Sequence, residues 1–132
     1  MSWSGVKKHT NNAEIKAWCE EMSIKNYTIN DKGEIDVNGN VDLSYKDIEE
    51  LPYKFGEING YFDIDYCKKL ISLKNCPHKV VGYFSCDECV KINLLEMCPR
   101  EVGGDFFCRH CKQKFTKEKI LSLCKIGRCV YL

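Results

Sequence analysis

The sequence contains no stretch approaching the roughly 20 consecutive apolar residues of a membrane-spanning helix, and its opening segment, Met-Ser-Trp-Ser-Gly-Val-Lys-Lys-His, lacks the apolar run of a secretory signal. The chain therefore reads as cytoplasmic, with no membrane partner. It also lacks an excess of charge of either sign. Its 20 Lys and Arg against 19 Asp and Glu leave a formal charge of +1, which supplies no global attraction to a phosphate backbone or an anionic lipid surface. Nucleic acid is accordingly not the favoured partner. No glycine-rich phosphate loop, paired-carboxylate motif or nucleotide fingerprint occurs. His78 and His110 stand near many thiols, but both occupy polar positions between apolar markers, and no Ser, Asp or Asn recurs so as to build a triad. The reading is of a protein that is not an enzyme and carries no catalytic residue.

What the sequence does contain is one pattern three times. Gly60-Tyr61-Phe62-Asp63-Ile64-Asp65-Tyr66-Cys67 returns as Gly82-Tyr83-Phe84-Ser85-Cys86-Asp87-Glu88-Cys89 and again as Gly104-Asp105-Phe106-Phe107-Cys108-Arg109-His110-Cys111. The step from Gly60 to Gly82 equals the step from Gly82 to Gly104. Between copies, Leu70 and Leu73 recur as Ile92 and Leu95, and Cys76-Pro77 recurs as Cys98-Pro99. A fixed period of this length carrying apolar residues is the mark of a leucine-rich-repeat-like solenoid. Gly39 opens an irregular first copy, with Val41, Leu43, Ile48 and Leu51 as its apolar residues. Gly127 to Leu132 restores the glycine and its alternating partners. Five strands are thus expected in a ladder, near residues 41, 62, 84, 106 and 129, spanning roughly 20 Å at about 4.8 Å per strand.

The flanks read as caps. Residues 1–10 are polar and patternless and are expected to be loosely held. A helix follows, capped by Asn11 or Asn12, with Glu14 in its first turn and Ile15, Trp18, Cys19 and Met22 on one face. Tyr27–Ile29 and Glu34–Val37, separated by the turn residues Asn30-Asp31-Lys32-Gly33, read as a hairpin. Thr116 caps a second helix running to Cys124, with Ile120, Leu121 and Cys124 on one face. The fold class is α+β, a single domain over 1–132: a flexible start (1–10), a helix and hairpin cap (11–38), the repeats (39–111) and a helix-strand cap (112–132).

Ten cysteines (19, 67, 76, 86, 89, 98, 108, 111, 124, 129) would suggest disulfides in an exported chain, but without an export signal they read as thiols. Cys86-x-x-Cys89 and Cys108-x-x-Cys111 stand apart by the interval that separates the two cysteine pairs of a zinc ribbon, and His110 is close enough to replace one thiolate. The repeat itself generates this spacing, however, and its first copy puts Ile64 where a ligand would be needed. The buried thiol ladder without metal is therefore preferred, with all four cysteines in the core. Zinc remains the alternative cofactor. In that alternative a ribbon-like module touches nucleic acid through Lys112, Lys114, Lys117 and Lys119, a run that reads more simply as a solvated helix face.

Set out in this way, the chain resembles a family of small leucine-rich-repeat-like proteins encoded by large tailed bacteriophages, whose units look like G-D-F-x-C-x-x-N-x-L-x-x-L-x-x-C-P-x-x-V-G. Cys98-Pro99-Arg100-Glu101-Val102-Gly103-Gly104-Asp105-Phe106-Phe107-Cys108 is close to that unit. Residues 24–30, 33–37 and 51–56 resemble the family's N-terminal region, and Phe115-Thr116-Lys117-Glu118 its C-terminal cap. The chain departs by carrying Cys67, Cys89 and Cys111 where Asn is usual, which turns the family's amide ladder into a thiol ladder. The resemblance implies a fold and a viral origin, hence a host-cell cytoplasm, but most members of the family have no assigned activity to carry over. If Phe62/Ile64, Phe84/Cys86 and Phe106/Cys108 point inward, alternation turns Tyr61, Asp63 and Asp65, Tyr83, Ser85 and Asp87, and Asp105, Phe107 and Arg109 outward. Aromatics framed by charge suit a protein interface. The expected function is non-enzymatic capture of a host or antiviral-defence protein on this face; the same residues also read as an ordinary solvated sheet surface.

Overall fold

The computed structural model describes residues 12–112 and 114–132. The loose segment expected at 1–10 and the Asn11 cap lie outside the described residues. Helix α1 spans Asn12–Glu21, with Ile15 and Cys19 buried and Trp18 and Met22 half-buried against the core. Trp18 meets Tyr53 and Phe55 edge-on, with ring centroids 5.8 and 5.9 Å apart, so the apolar face of α1 closes the first turn of the repeat stack as its periodicity predicts. The hairpin follows: β1 (Tyr27–Ile29) pairs antiparallel with β2 (Ile35–Val37). The Asn30 side-chain oxygen accepts from the backbone N–H groups of Lys32 and Glu34 at 2.9 and 3.0 Å, which closes the turn.

The repeats form a β-solenoid of about 4 turns. The expected ladder is present: β3 (Val41–Asp42), β5 (Phe62–Asp63), β7 (Phe84–Ser85), β9 (Phe106–Phe107) and β11 (Val130–Tyr131) form a parallel sheet in that spatial order. Its register places Val41, Phe62, Phe84, Phe106 and Val130 in one inward column. A second ladder, not anticipated from the sequence, continues from the hairpin. Strands β4 (Phe55–Ile58), β6 (Lys79–Val80), β8 (Glu101–Val102) and β10 (Lys125–Ile126) extend from β2 as a parallel series, so each repeat contributes one strand to each sheet. Ile58, Val80 and Val102 form its buried column.

Between the sheets the core is apolar and rich in rings. Phe62, Phe84 and Phe106 have no exposed surface, and adjacent centroids lie 6.1 and 5.1 Å apart. The planes of Phe62 and Phe84 are parallel within 4°, whereas Phe106 tilts 44° from Phe84; the column is continuous, but not a uniform stack at one strand spacing. Helix α2 (Lys117–Leu123) begins at Thr116, whose hydroxyl accepts from the Lys119 N–H at 3.1 Å. It rests on the core through Ile120, Leu123 and Cys124, while Leu121, expected on that face, is exposed. The inward stripe of so short a helix is an i, i+3, i+4 set, and Leu121 falls outside it. No helix among the described residues is long and apolar enough to cross a membrane.

Candidate binding surface

The outward face of the five-stranded sheet is built by alternation. With Phe62 and Ile64 inward, the residues between and beside them turn out, and the parallel register aligns them in columns across the strands. Tyr61, Asp63, Tyr83, Asp105 and Phe107 are half-exposed there, and Arg109 is exposed, as expected. Ser85 and Asp87 are not free surface: they are only 2% and 7% exposed. The cause is a row of side-chain rungs. Asp65 accepts from the Ser85 hydroxyl and from the Asp87 backbone N–H. Asp87 in turn accepts from the Arg109 backbone N–H at 2.6 Å and from its guanidinium through Nε at 3.0 Å and Nη2 at 2.6 Å. Each carboxylate therefore ties one repeat to the next and is covered by what it binds. Sequence types alone do not distinguish such a rung from a solvated aspartate. Burial is also the leading cause that raises the Asp65 pKa above the usual carboxylate value.

An aromatic stripe crosses the same face diagonally. Tyr61 and Tyr83 stack at 4.7 Å, Tyr83 meets Phe107 edge-on at 5.8 Å, and Phe107 stacks on Tyr131 at 4.8 Å. The Tyr83 hydroxyl donates to Asp63 at 3.0 Å. Burial, then the Asp63 charge, raises the pKa of that phenol, so it stays a donor across the physiological range. Tyr131 is not among the site residues that the repeat predicts. Helix α2 lengthens the last repeat, so the register partner of Phe107 is displaced beyond the regular period and escapes a search at that period.

A further column lies where each strand turns away. Tyr45, Tyr66, Glu88 and His110 all adopt left-handed φ between 59° and 63°, a conformation that costs a non-glycine residue roughly 1–2 kcal/mol. It persists because the backbone N–H groups of Tyr45, Tyr66 and Glu88 continue the ladder, donating to the carbonyls of Asp65, Asp87 and Arg109 at 2.9, 2.9 and 2.8 Å. Tyr45 and Tyr66 stack at 4.7 Å and 2°, and His110 pairs with Glu88. The sequence does not single this column out, because its residue types change from copy to copy and only their spacing repeats.

The thiols line the interior of the turns. The Cys67 and Cys89 thiols donate to the carbonyls of Leu43 and Ile64 at 3.1 and 3.0 Å, and Cys111 to that of Cys86 at 3.5 Å, each reaching back one repeat. The thiol ladder thus satisfies carbonyls, the task expected of an amide at these positions. Among the described residues, no three or more His, Cys, Asp or Glu side chains come together so as to hold a metal ion. Cys86, Cys89 and Cys108 are buried, and burial pushes the Cys108 thiol up to about 12. Cys111 departs from the expected burial: it is half-exposed, at the edge of a cavity of about 330 Å³ shared with Cys108, His110, Lys114, Phe115 and Leu132. Its pKa is lowered, first by the contact with the Cys86 thiol, whose own pKa is raised by the same contact. Peptide mapping by mass spectrometry after brief alkylation of the native protein is expected to show modification at exposed Cys129 first and Cys111 next, with the eight buried thiols unmodified until the chain is unfolded. Rapid labelling of Cys86, Cys89 and Cys108 would contradict the packing.

No protein-family model, curated protein or solved structure matches the chain.

Proposed function

We propose that this protein is a non-enzymatic protein-interaction module whose partner docks on the outward face of the five-stranded sheet. The observation that carries the reading is the aromatic stripe Tyr61–Tyr83–Phe107–Tyr131: four rings in contact, left partly open to solvent on a hydrogen-bonded parallel ladder. Large rings held by a rigid backbone can bury area against a partner at little cost in conformational freedom, which is why such residues dominate the energetics of protein interfaces. The resemblance to phage-encoded solenoids supplies the context, a viral factor that engages a host or antiviral-defence protein in the bacterial cytoplasm.

Cutting Tyr61 or Phe107 to alanine is expected to weaken capture of the partner by about 2 kcal/mol, roughly 30-fold, with little change in thermal unfolding because each ring is partly exposed. Tyr83→Ala should weaken capture equally but also cost stability, since its hydroxyl bonds Asp63. The experiment is affinity capture from bacterial lysate with wild type and each variant side by side, with Leu94→Ala, an exposed side chain on another part of the repeat, as control. Proteins retained by the control and lost by the three face variants support the reading. Identical capture by all variants removes it.

A further inference from the structure

The charge on the sheet face is unevenly compensated. In its C-terminal half Arg109 is paired with Asp87 at 2.6 Å and Arg128 lies 3.9 Å from Asp105. In its N-terminal half Asp42 and Asp63 are register partners on adjacent strands, and Asp65 follows two residues on. Among the described residues no Lys, Arg or His pairs with any of these three. Asp42 and Asp65 engage protein donors through Oδ1, and no described donor reaches Oδ2 of either. The row is walled on both sides by stacked tyrosines, Tyr61 with Tyr83 and Tyr45 with Tyr66. Asp65 borders two shallow depressions, one of about 260 Å³ shared with Tyr83 and one of about 300 Å³ shared with Tyr66, and the Asp87–Arg109 pair lines the far side of both. The result is a row of carboxylates flanked by stacked tyrosines, with Arg109 at its C-terminal end, in a chain whose total charge is only +1.

The chain's own Arg109 shows what such a row accepts. Its guanidinium lies 5.3 Å from the centroid of the Phe107 ring while its Nε and Nη2 hydrogens go to one Asp87 oxygen. A planar guanidinium can place its face on a ring and its edge on a carboxylate at once, whereas an ammonium is a compact, strongly hydrated point charge that gains little from the ring. An acidic segment would be repelled. We infer that the N-terminal half of the face is a receptor for guanidinium groups, and that the partner segment it takes is an exposed, arginine-bearing peptide whose side chains lie between the two tyrosine stacks over Asp42, Asp63 and Asp65. This rests on the reading of the sheet face as a protein-binding surface.

The test is fluorescence anisotropy of the full chain with a labelled peptide alternating arginine and glycine, and with the same peptide carrying lysine or glutamate in place of arginine. The arginine peptide is expected to bind saturably, the lysine peptide about tenfold more weakly and the glutamate peptide not at all. The double variant Asp63→Asn/Asp65→Asn should weaken the arginine peptide about tenfold or more. Because those carboxylates also accept internal hydrogen bonds, Tyr45→Ala provides a second variant: its ring is 72% exposed, and its loss should weaken binding severalfold with the fold intact. Equal affinity for the arginine and lysine peptides, or no change in either variant, overturns the inference. The same variants are then used in partner capture. A partner that is lost with Tyr61→Ala or Phe107→Ala but kept by Asp63→Asn/Asp65→Asn and Tyr45→Ala refutes the guanidinium receptor and leaves the binding face standing. A partner indifferent to all of them refutes both.

Discussion

Phe84→Ala is expected to destabilise the protein by about 3–5 kcal/mol, the cost of deleting a fully buried ring whose surroundings cannot close over the space. Phe84 is the central member of the phenylalanine column, with Phe62 on one side and Phe106 on the other. The flanking backbones are pinned by the parallel ladder, with the Phe62 N–H bonded to Tyr83 at 2.9 Å and the Phe84 N–H to Asp105 at 3.0 Å, so the strands cannot move in to fill the cavity. In a solenoid each repeat touches only its neighbours, and damage at the middle repeat weakens both interfaces that hold the stack together. The melting temperature should fall by roughly 10–20 °C. Phe84→Leu, which keeps most of the volume, should cost much less. An unchanged melting temperature for Phe84→Ala would contradict the repeat assignment itself.

Gly82→Val is expected to be comparably damaging for a different reason. At this corner the chain passes from one sheet to the other, and the Gly82 N–H donates to the Gly60 carbonyl at 2.8 Å. A Cβ at Gly82 would lie 2.8 Å from the carbonyl carbon and 2.9 Å from the carbonyl oxygen of Gly60, both backbone atoms that cannot rotate away. The same approach recurs one repeat later, where a Cβ at Gly104 would lie 2.9 Å from the Gly82 carbonyl. Even alanine should cost about 1–3 kcal/mol as the two corners are forced apart, and valine more, because its branches extend the clash. Circular dichroism melts of the alanine and valine proteins check this. A valine variant as stable as wild type would mean that the corners are not stacked.

These two positions were legible in the sequence because the solenoid repeats them: Gly60 precedes Phe62 as Gly82 precedes Phe84 and Gly104 precedes Phe106, always at the same interval. The hairpin and the second helix were equally legible through their turn and cap residues, and the first helix through the spacing of Ile15, Trp18, Cys19 and Met22. The second ladder was not. Strands β6, β8 and β10 are two residues long, like those of the first ladder, but no apolar alternation continues beyond them as Phe62/Ile64 and Phe84/Cys86 do, and their one recurring trace is an apolar residue, Val80, Val102 or Ile126, ahead of the next corner. On the binding face the aromatic positions could be read from alternation, but the burial of Ser85 and Asp87 could not, because it depends on the side-chain rungs between repeats. Tyr131 was displaced from the regular count by the inserted helix. The left-handed column carrying Tyr45 and Tyr66 leaves no residue-type signature, since the backbone conformation is held by hydrogen bonds to the following repeat rather than by glycine or asparagine.

The most direct test of the binding face is hydroxyl-radical footprinting of the protein, free and in complex with the partner that capture identifies. Tyr61, Tyr83, Phe107 and Tyr131 are expected to lose oxidation on complex formation, while Leu94, Met97 and Leu121, exposed elsewhere on the solenoid, keep theirs. If the four rings are oxidised as fast in the complex as in the free protein and protection falls on Leu94, Met97 or Leu121 instead, the sheet face is not the surface by which this protein acts.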